Sequence, residues 1–123
     1  MSDIAISLKE AMTITGAIGA ALVDYDSGMT LGTAGGAPDL DLEVAAAGNT
    51  EVVRAKMHTM RELGINETIE DILLTLGTQY HLIRPVRSHK GKGLFLYLAL
   101  RKEQANLAMA RRQLMLIEEQ LSL

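Results

Sequence analysis

Residues 94–100 leave no face for water. Leu94, Leu96, Leu98 and Leu100 alternate with Phe95, Tyr97 and Ala99, so a strand built from them is apolar on both sides. Residues 17–25 behave the same way, from Ala17 through Ala20, Ala21, Leu22 and Val23. Such strands must be covered on both faces, which calls for helices above and below one sheet. The 94–100 strand belongs at its centre.

The rest of the chain supplies those helices. Ile4, Leu8, Ala11 and Met12 recur at helical spacing over residues 4–14, with Ser2 or Asp3 placed to cap the first turn. Asp26, Ser27 and Gly28 form a turn that leads from the first strand into a second at residues 29–33. Gly35, Gly36, Ala37 and Pro38 break the pattern, and Pro38 with Asp39 leads into a long helix from residue 40 or 41 to 63, closed by Gly64. Residues 68–76, 80–88 and 94–100 read as a three-strand meander. From residue 102 the stripe Leu107, Ala110, Leu114, Ile117 and Leu121 fits a helix packed on the sheet; it is too short for a convincing coiled coil, which needs about three to four heptads. Pro85 cannot donate to a ladder, so a bulge or an open ladder is expected there.

The expected fold class is therefore α/β: a three-layer α/β/α sandwich in the order α-β-β-α-β-β-β-α, with about five mainly antiparallel strands and helices on both faces. At 123 residues and 48% hydrophobic content, one domain spanning 1–123 is expected.

Composition excludes several functions. Zero cysteines remove disulfides, thiolate zinc sites and cysteine nucleophiles, and weakly favour the cytoplasm. No secretory signal is visible, and no apolar run approaches the ~20 residues needed to span a bilayer. A net charge of -3 and 3% aromatic content argue against nucleic acid as a partner.

Three stretches carry a resemblance: Gly19-Ala20-Ala21-Leu22-Val23-Asp24 with Gly28 in the turn, Gln79-Tyr80-His81-Leu82-Ile83-Arg84-Pro85, and Ala108-Met109-Ala110-Arg111-Arg112. With the order of elements, they resemble the Roadblock (dynein light-chain) family, its bacterial members in particular. The resemblance implies a homodimer, or a heterodimer with a paralogue, whose sheets join edge to edge. It also implies a small Ras-like GTPase as partner, to be regulated or scaffolded without a donated catalytic residue.

No catalytic set, cofactor site or metal site is expected. The chain has no phosphate loop, so it should not be the GTPase itself. Gly32, Gly35 and Gly36 lack dinucleotide-fingerprint spacing and read as loop punctuation. His58, His81 and His89 fall on a helix, a strand and a turn without metal-ligand spacing. Asp24 and Asp26 faintly suggest a calcium loop, but the remaining ligands are out of register and hairpin chemistry is favoured. No Gly-x-Ser-x-Gly elbow occurs.

The long helix is more informative. At about 100° per residue, Leu42, Ala46, Val53, Met57 and Met60 share one side, flanked by Ala45, Val52 and Leu63. Arg54, His58 and Arg61 line up on the other at i, i+4 and i+7: either a solvated face or a partner-docking stripe. Asn49 and Lys56 intrude on the apolar side, where they either snorkel or face a second copy across a dimer axis. In the meander, residues 68–76 are the strand least obviously flanked on both sides. The resemblance pairs that strand with its copy, which would cover Ile72, Leu74 and Thr75. The basic turn Arg87, His89, Lys90 and Lys92 reads as a solvated hairpin tip. A competing reading is a small-molecule sensor with its pocket between sheet and helix, though few aromatic or convergent polar residues fall on the apolar faces.

Overall fold

Among the described residues, Asp3, Asp41 and Asn106 start three helices. Each turns a side-chain oxygen onto a free amide of the first turn: Asp3 accepts from Ile6 at 2.9 Å, Asp41 from Glu43 and Val44 at 3.1 and 3.2 Å, Asn106 from Met109 at 3.0 Å. The helices are α1 Ile4–Ala11, α2 Leu42–Glu62 and α3 Leu107–Gln120. The strands are β1 Ala17–Asp24, β2 Thr30–Gly35, β3 Ile72–Thr75, β4 Gln79–Pro85 and β5 Leu94–Arg101. This computed structural model describes residues 3–36, 38, 40–87 and 93–122. Ser2, Ala37, Asp39, Ser88, His89, Lys90 and Lys92 lie outside the described residues.

The end of α2 is chemically explicit. Gly64 takes φ of 70°, its N–H donates to Arg61 O and that of Ile65 to Met60 O, which is the Schellman closure. The chain therefore leaves the helix sharply at the glycine.

The five strands of the described residues form one antiparallel sheet in the order β2-β1-β5-β4-β3. β5 is the central strand, as expected, and β1, which needs cover on both faces, lies inside the sheet beside it. Ala20, Leu22, Leu82, Leu96 and Leu98 pack with Leu8 of α1 and with Ala110, Leu114 and Ile117 of α3. On the other face Ala21, Val23, Ile83, Phe95, Tyr97 and Ala99 pack with Leu42, Ala46 and Val53 of α2. Three layers result. Each fully buried Leu or Val contributes about 1.5–3 kcal/mol, so both helical layers are held mainly by these contacts.

Several boundaries differ from expectation. α1 ends at Ala11, and Met12 to Gly16 turn into β1, although Ile14 stays buried. β2 runs to Gly35 rather than ending near Thr33. β3 is only four residues long, and Thr68 to Asp71 form a loop before it. α3 starts at Leu107 because Asn106 caps it there. At Pro85 there is no bulge. Val86 N–H donates to Leu94 O, so the Pro85 nitrogen points toward the β3 side, where the ladder has already ended at the Ile72–Ile83 pair. The ladder is open there, and the proline costs no bond.

Candidate functional site: the open β3 edge and the long helix

β3 pairs with β4 on one side and with nothing on the other among the described residues. α2 runs against β1 and β2 and packs on Phe95, Tyr97 and Ala99 of β5, and the flank formed by β4 and β3 is only partly roofed. Ile72 and Leu74 point to the α2 face and are half-buried; Thr75 is exposed. Between α2 and this flank run two shallow grooves. One, of about 370 Å³, has Val44, Ala45 and Asn49 on the helix side and His81 and Tyr97 on the sheet side. The other, of about 520 Å³, sets Val52 and Lys56 against Ile69 and Ile72. The fold thus places Asn49 and Lys56 beside the open edge. Val44 and Val52 are 68% and 38% exposed, so Val52 is not the core flank the helical periodicity suggested. Leu63 also projects outward, at 66% exposure, because the helix ends there and passes the sheet.

His81 sits at the floor of the first groove, opposite Leu74 in register. Its Nε2 is 2.8 Å from Gln79 Oε1, and its Nδ1 is 3.1 Å from the Tyr97 hydroxyl. The two rings meet edge to face at 5.5 Å. This arrangement suits a neutral imidazole that donates through Nε2 and accepts at Nδ1. Burial lowers the His81 pKa from 6.5 and pushes that of Tyr97 up to about 12.

The outer side of α2 carries the three predicted cations, but they are not equivalent. Arg54 Nε donates to Tyr25 O at 2.6 Å, and its Nη2 donates to Asp26 O. It therefore clamps the helix to the β1–β2 turn and is not a free member of an outward stripe. His58 lies 3.7 Å from Glu62, with both side chains exposed. The Arg61 guanidinium has no hydrogen bond or ion pair with a described residue, and it lies at the margin of this side, beside Met57 and Met60. The turn held by Arg54 is built by Asp24, whose Oδ1 accepts from Asp26 N and Ser27 N, with φ of 80° at Gly28. Asp24 is occupied in hairpin chemistry.

Among the described residues no group of three or more His, Cys, Asp or Glu side chains is placed to hold a metal, and no helix is long and apolar enough to cross a membrane.

In shape, the chain is similar to the Roadblock/LC7 domain from Streptomyces avermitilis, with a TM-score of 0.80 over 96% of this chain and 93% of that one, at 15% identity. The fold is that of a Roadblock/LC7 domain. Myxococcus xanthus MglB matches with a TM-score of 0.73 at 18% identity, over 93% of this chain and 84% of that one. The gliding protein MglB from Thermus thermophilus matches with 0.67 at 19% identity, over 94% and 87%. No family profile and no curated protein sequence matches the chain. The likeness to Roadblock structures is thus one of backbone architecture.

Within this Roadblock fold, the largest feature missed from sequence is a buried ion pair. Arg84 on β4 and Glu118 on α3 meet at 2.9 Å on the face shared by α1 and α3. A signal existed. Arg84 shares the inward alternation of Leu82, and Glu118 lies four residues after Leu114 on the α3 stripe, so two charges at core positions had to satisfy each other. Thr50 is likewise buried on α2, its hydroxyl bonded back to Ala46 O at 2.8 Å.

Proposed function

We propose that this chain is a single-domain, non-catalytic binding module that dimerises and regulates or scaffolds a small Ras-like GTPase in the cytoplasm. The observation that carries the reading is the continuity of the unpaired β3 edge with the partly roofed apolar flank beside α2. An unpaired edge with apolar neighbours is a site for another strand. Antiparallel pairing of β3 with its copy would cover Ile72, Leu74 and Thr75, and would bring Asn49 and Lys56 to the junction.

Such a pair would set two α2 helices on one side of a joined sheet. The GTPase would dock on their outer faces, with His58 and Arg61 as the available cations and Arg54 fixing the turn beneath them. The shape similarity to MglB structures supports this reading, as does the sequence resemblance to bacterial Roadblock domains.

Solution measurements test it. Light scattering at micromolar concentration should give the mass of two copies. Affinity capture from the source lysate, followed by mass spectrometry, should recover a small GTPase. Calorimetry on the purified chain should show no stoichiometric GTP binding, in keeping with the missing phosphate loop. A monomer, or GTP bound by the chain itself, would overturn the reading.

A further inference from the structure

The C-terminal half of α2 passes over the end of the sheet and forms one wall of a half-open cavity of about 500 Å³ there. Its body is apolar: Met57 and Met60 from the helix, Ile69 from the loop before β3, and Pro85 and Val86 from the end of β4. Its charged lining is Arg61, Arg87 and Glu67, which leaves one net positive charge. The size falls within the range of about 300–1,000 Å³ typical of small-molecule sites.

The walls are held from outside the cavity. Tyr25, which also lines it, is fixed by its N–H to Gly93 O at 2.9 Å and by Arg54 Nε on its carbonyl. Glu70, at the end of the loop wall, receives Arg84 Nη1 on its carbonyl at 3.2 Å. The β4 wall is fixed by Arg87 N–H to Glu118 Oε2 at 3.4 Å and by Val86 N–H to Leu94 O at 2.8 Å. The cavity is therefore a formed feature of the fold.

The charged groups are less committed. The Arg61 guanidinium has no partner among the described residues. Arg87 reaches Glu70 only at 3.6 Å, in an exposed pair of little energetic weight. Two planar guanidinium groups beside an apolar cavity suit a carboxylate, which each can grip through two N–H groups. Glu67 disfavours a more highly charged group such as a phosphate dianion. The methionines, flexible and polarizable, suit an aliphatic body better than one fixed ring shape.

We infer that this cavity is a binding site for a small amphipathic monocarboxylate, its aliphatic body against Met57, Met60 and Ile69 and its carboxylate held by Arg61 and Arg87. The cavity is formed without a GTPase partner or a second copy, and it shares Arg61 with the α2 surface proposed for docking.

Octanoate is a suitable probe, with octylammonium as its charge-reversed control and octyl phosphate as the dianion. Titration of the isotope-labelled full chain should give saturable one-to-one amide shifts centred on Met57, Ile69 and Val86. Octylammonium should bind at least about tenfold more weakly. Arg61→Met and Arg87→Met should each weaken octanoate by about tenfold without weakening octylammonium, and Ile69→Asp should abolish octanoate binding. Equal binding of octanoate and octylammonium, tighter binding of octyl phosphate, or shifts that never saturate would overturn the inference. So would cavity signals that respond to protein concentration and ignore octanoate, since a second copy would then be the occupant.

Discussion

Arg84 Nε lies 2.9 Å from Glu118 Oε1, and the two side chains are 8% and 6% exposed. Neither charge can recover its hydration if the other is removed. Glu118→Ala should therefore destabilise the fold by about 3–5 kcal/mol, whereas replacing the pair together by Met and Leu should be close to neutral or stabilising. Urea unfolding of the single and double variants decides this. A cost below about 1 kcal/mol for the single variant would mean that water reaches the site.

Arg54 is exposed yet structurally engaged, because its guanidinium fork spans the carbonyls of Tyr25 and Asp26. Arg54→Ala should cost about 1–2 kcal/mol, and Arg54→Lys should recover little, since an ammonium cannot reproduce the fork. Arg61→Ala should stay within about 0.5 kcal/mol. Equal melting temperatures for the Arg54 and Arg61 variants would show that the clamp has no energetic role.

The His81–Tyr97 pair gives stability two pH limbs. The folded state holds the His81 pKa below its usual 6.5, so the unfolded chain takes up the proton first as pH falls. That contribution is present above 6.5 and is lost as pH drops toward the lower folded value. Tyr97 behaves oppositely: its folded pKa of about 12 exceeds the usual 10.0, so stability declines as pH rises from 10.0 toward 12. In denaturant melts across pH, His81→Gln should flatten the acid limb alone, and Tyr97→Phe should shrink the alkaline limb to the share of Tyr25, whose pKa burial also raises. An unchanged acid limb in His81→Gln would assign it to another group.

The proposed edge pairing predicts a separable variant. Leu74 is half-buried on an unpaired strand, so a lysine there can carry its charge to water while its stem covers the same surface. Inward-pointing lysines are how natural edges are guarded. Leu74→Lys should yield a folded monomer by light scattering, with retained circular dichroism. A dimer that survives this change would move the contact elsewhere.

The layers were legible because β1 and β5 are apolar on both alternating sets, which only a covered central strand satisfies. The α3 stripe was legible for the same reason: Ala110, Leu114 and Ile117 are all buried where the period puts them. Periodicity failed where a residue's surroundings, not its spacing, decide its fate. Val52 and Leu63 have helical spacing but face the unroofed flank and the helix end, and Arg54 looks solvated until the β1–β2 turn is placed beneath it. The cavity beside Met57, Met60 and Arg61 draws on four separate segments, so no local pattern could announce it. Arg84 and Glu118 were each readable as misplaced charges, but only the packing of α3 on β4 makes them a pair.

The central position of β1 and β5 also shapes how the chain reaches this structure. β1 with β2 is a local hairpin, and β3, β4 and β5 are a local meander, yet the ladder joining them runs from Asp24–Leu94 to Ala17–Leu100 across most of the sequence. Closing so long a loop costs entropy before its contacts reward it, so docking of the two halves is the expected slow step. Until it occurs, the most apolar strand in each half has an unpaired edge. The exposure most prone to aggregation therefore belongs to the half-folded chain, and both edges disappear together when the ladder closes.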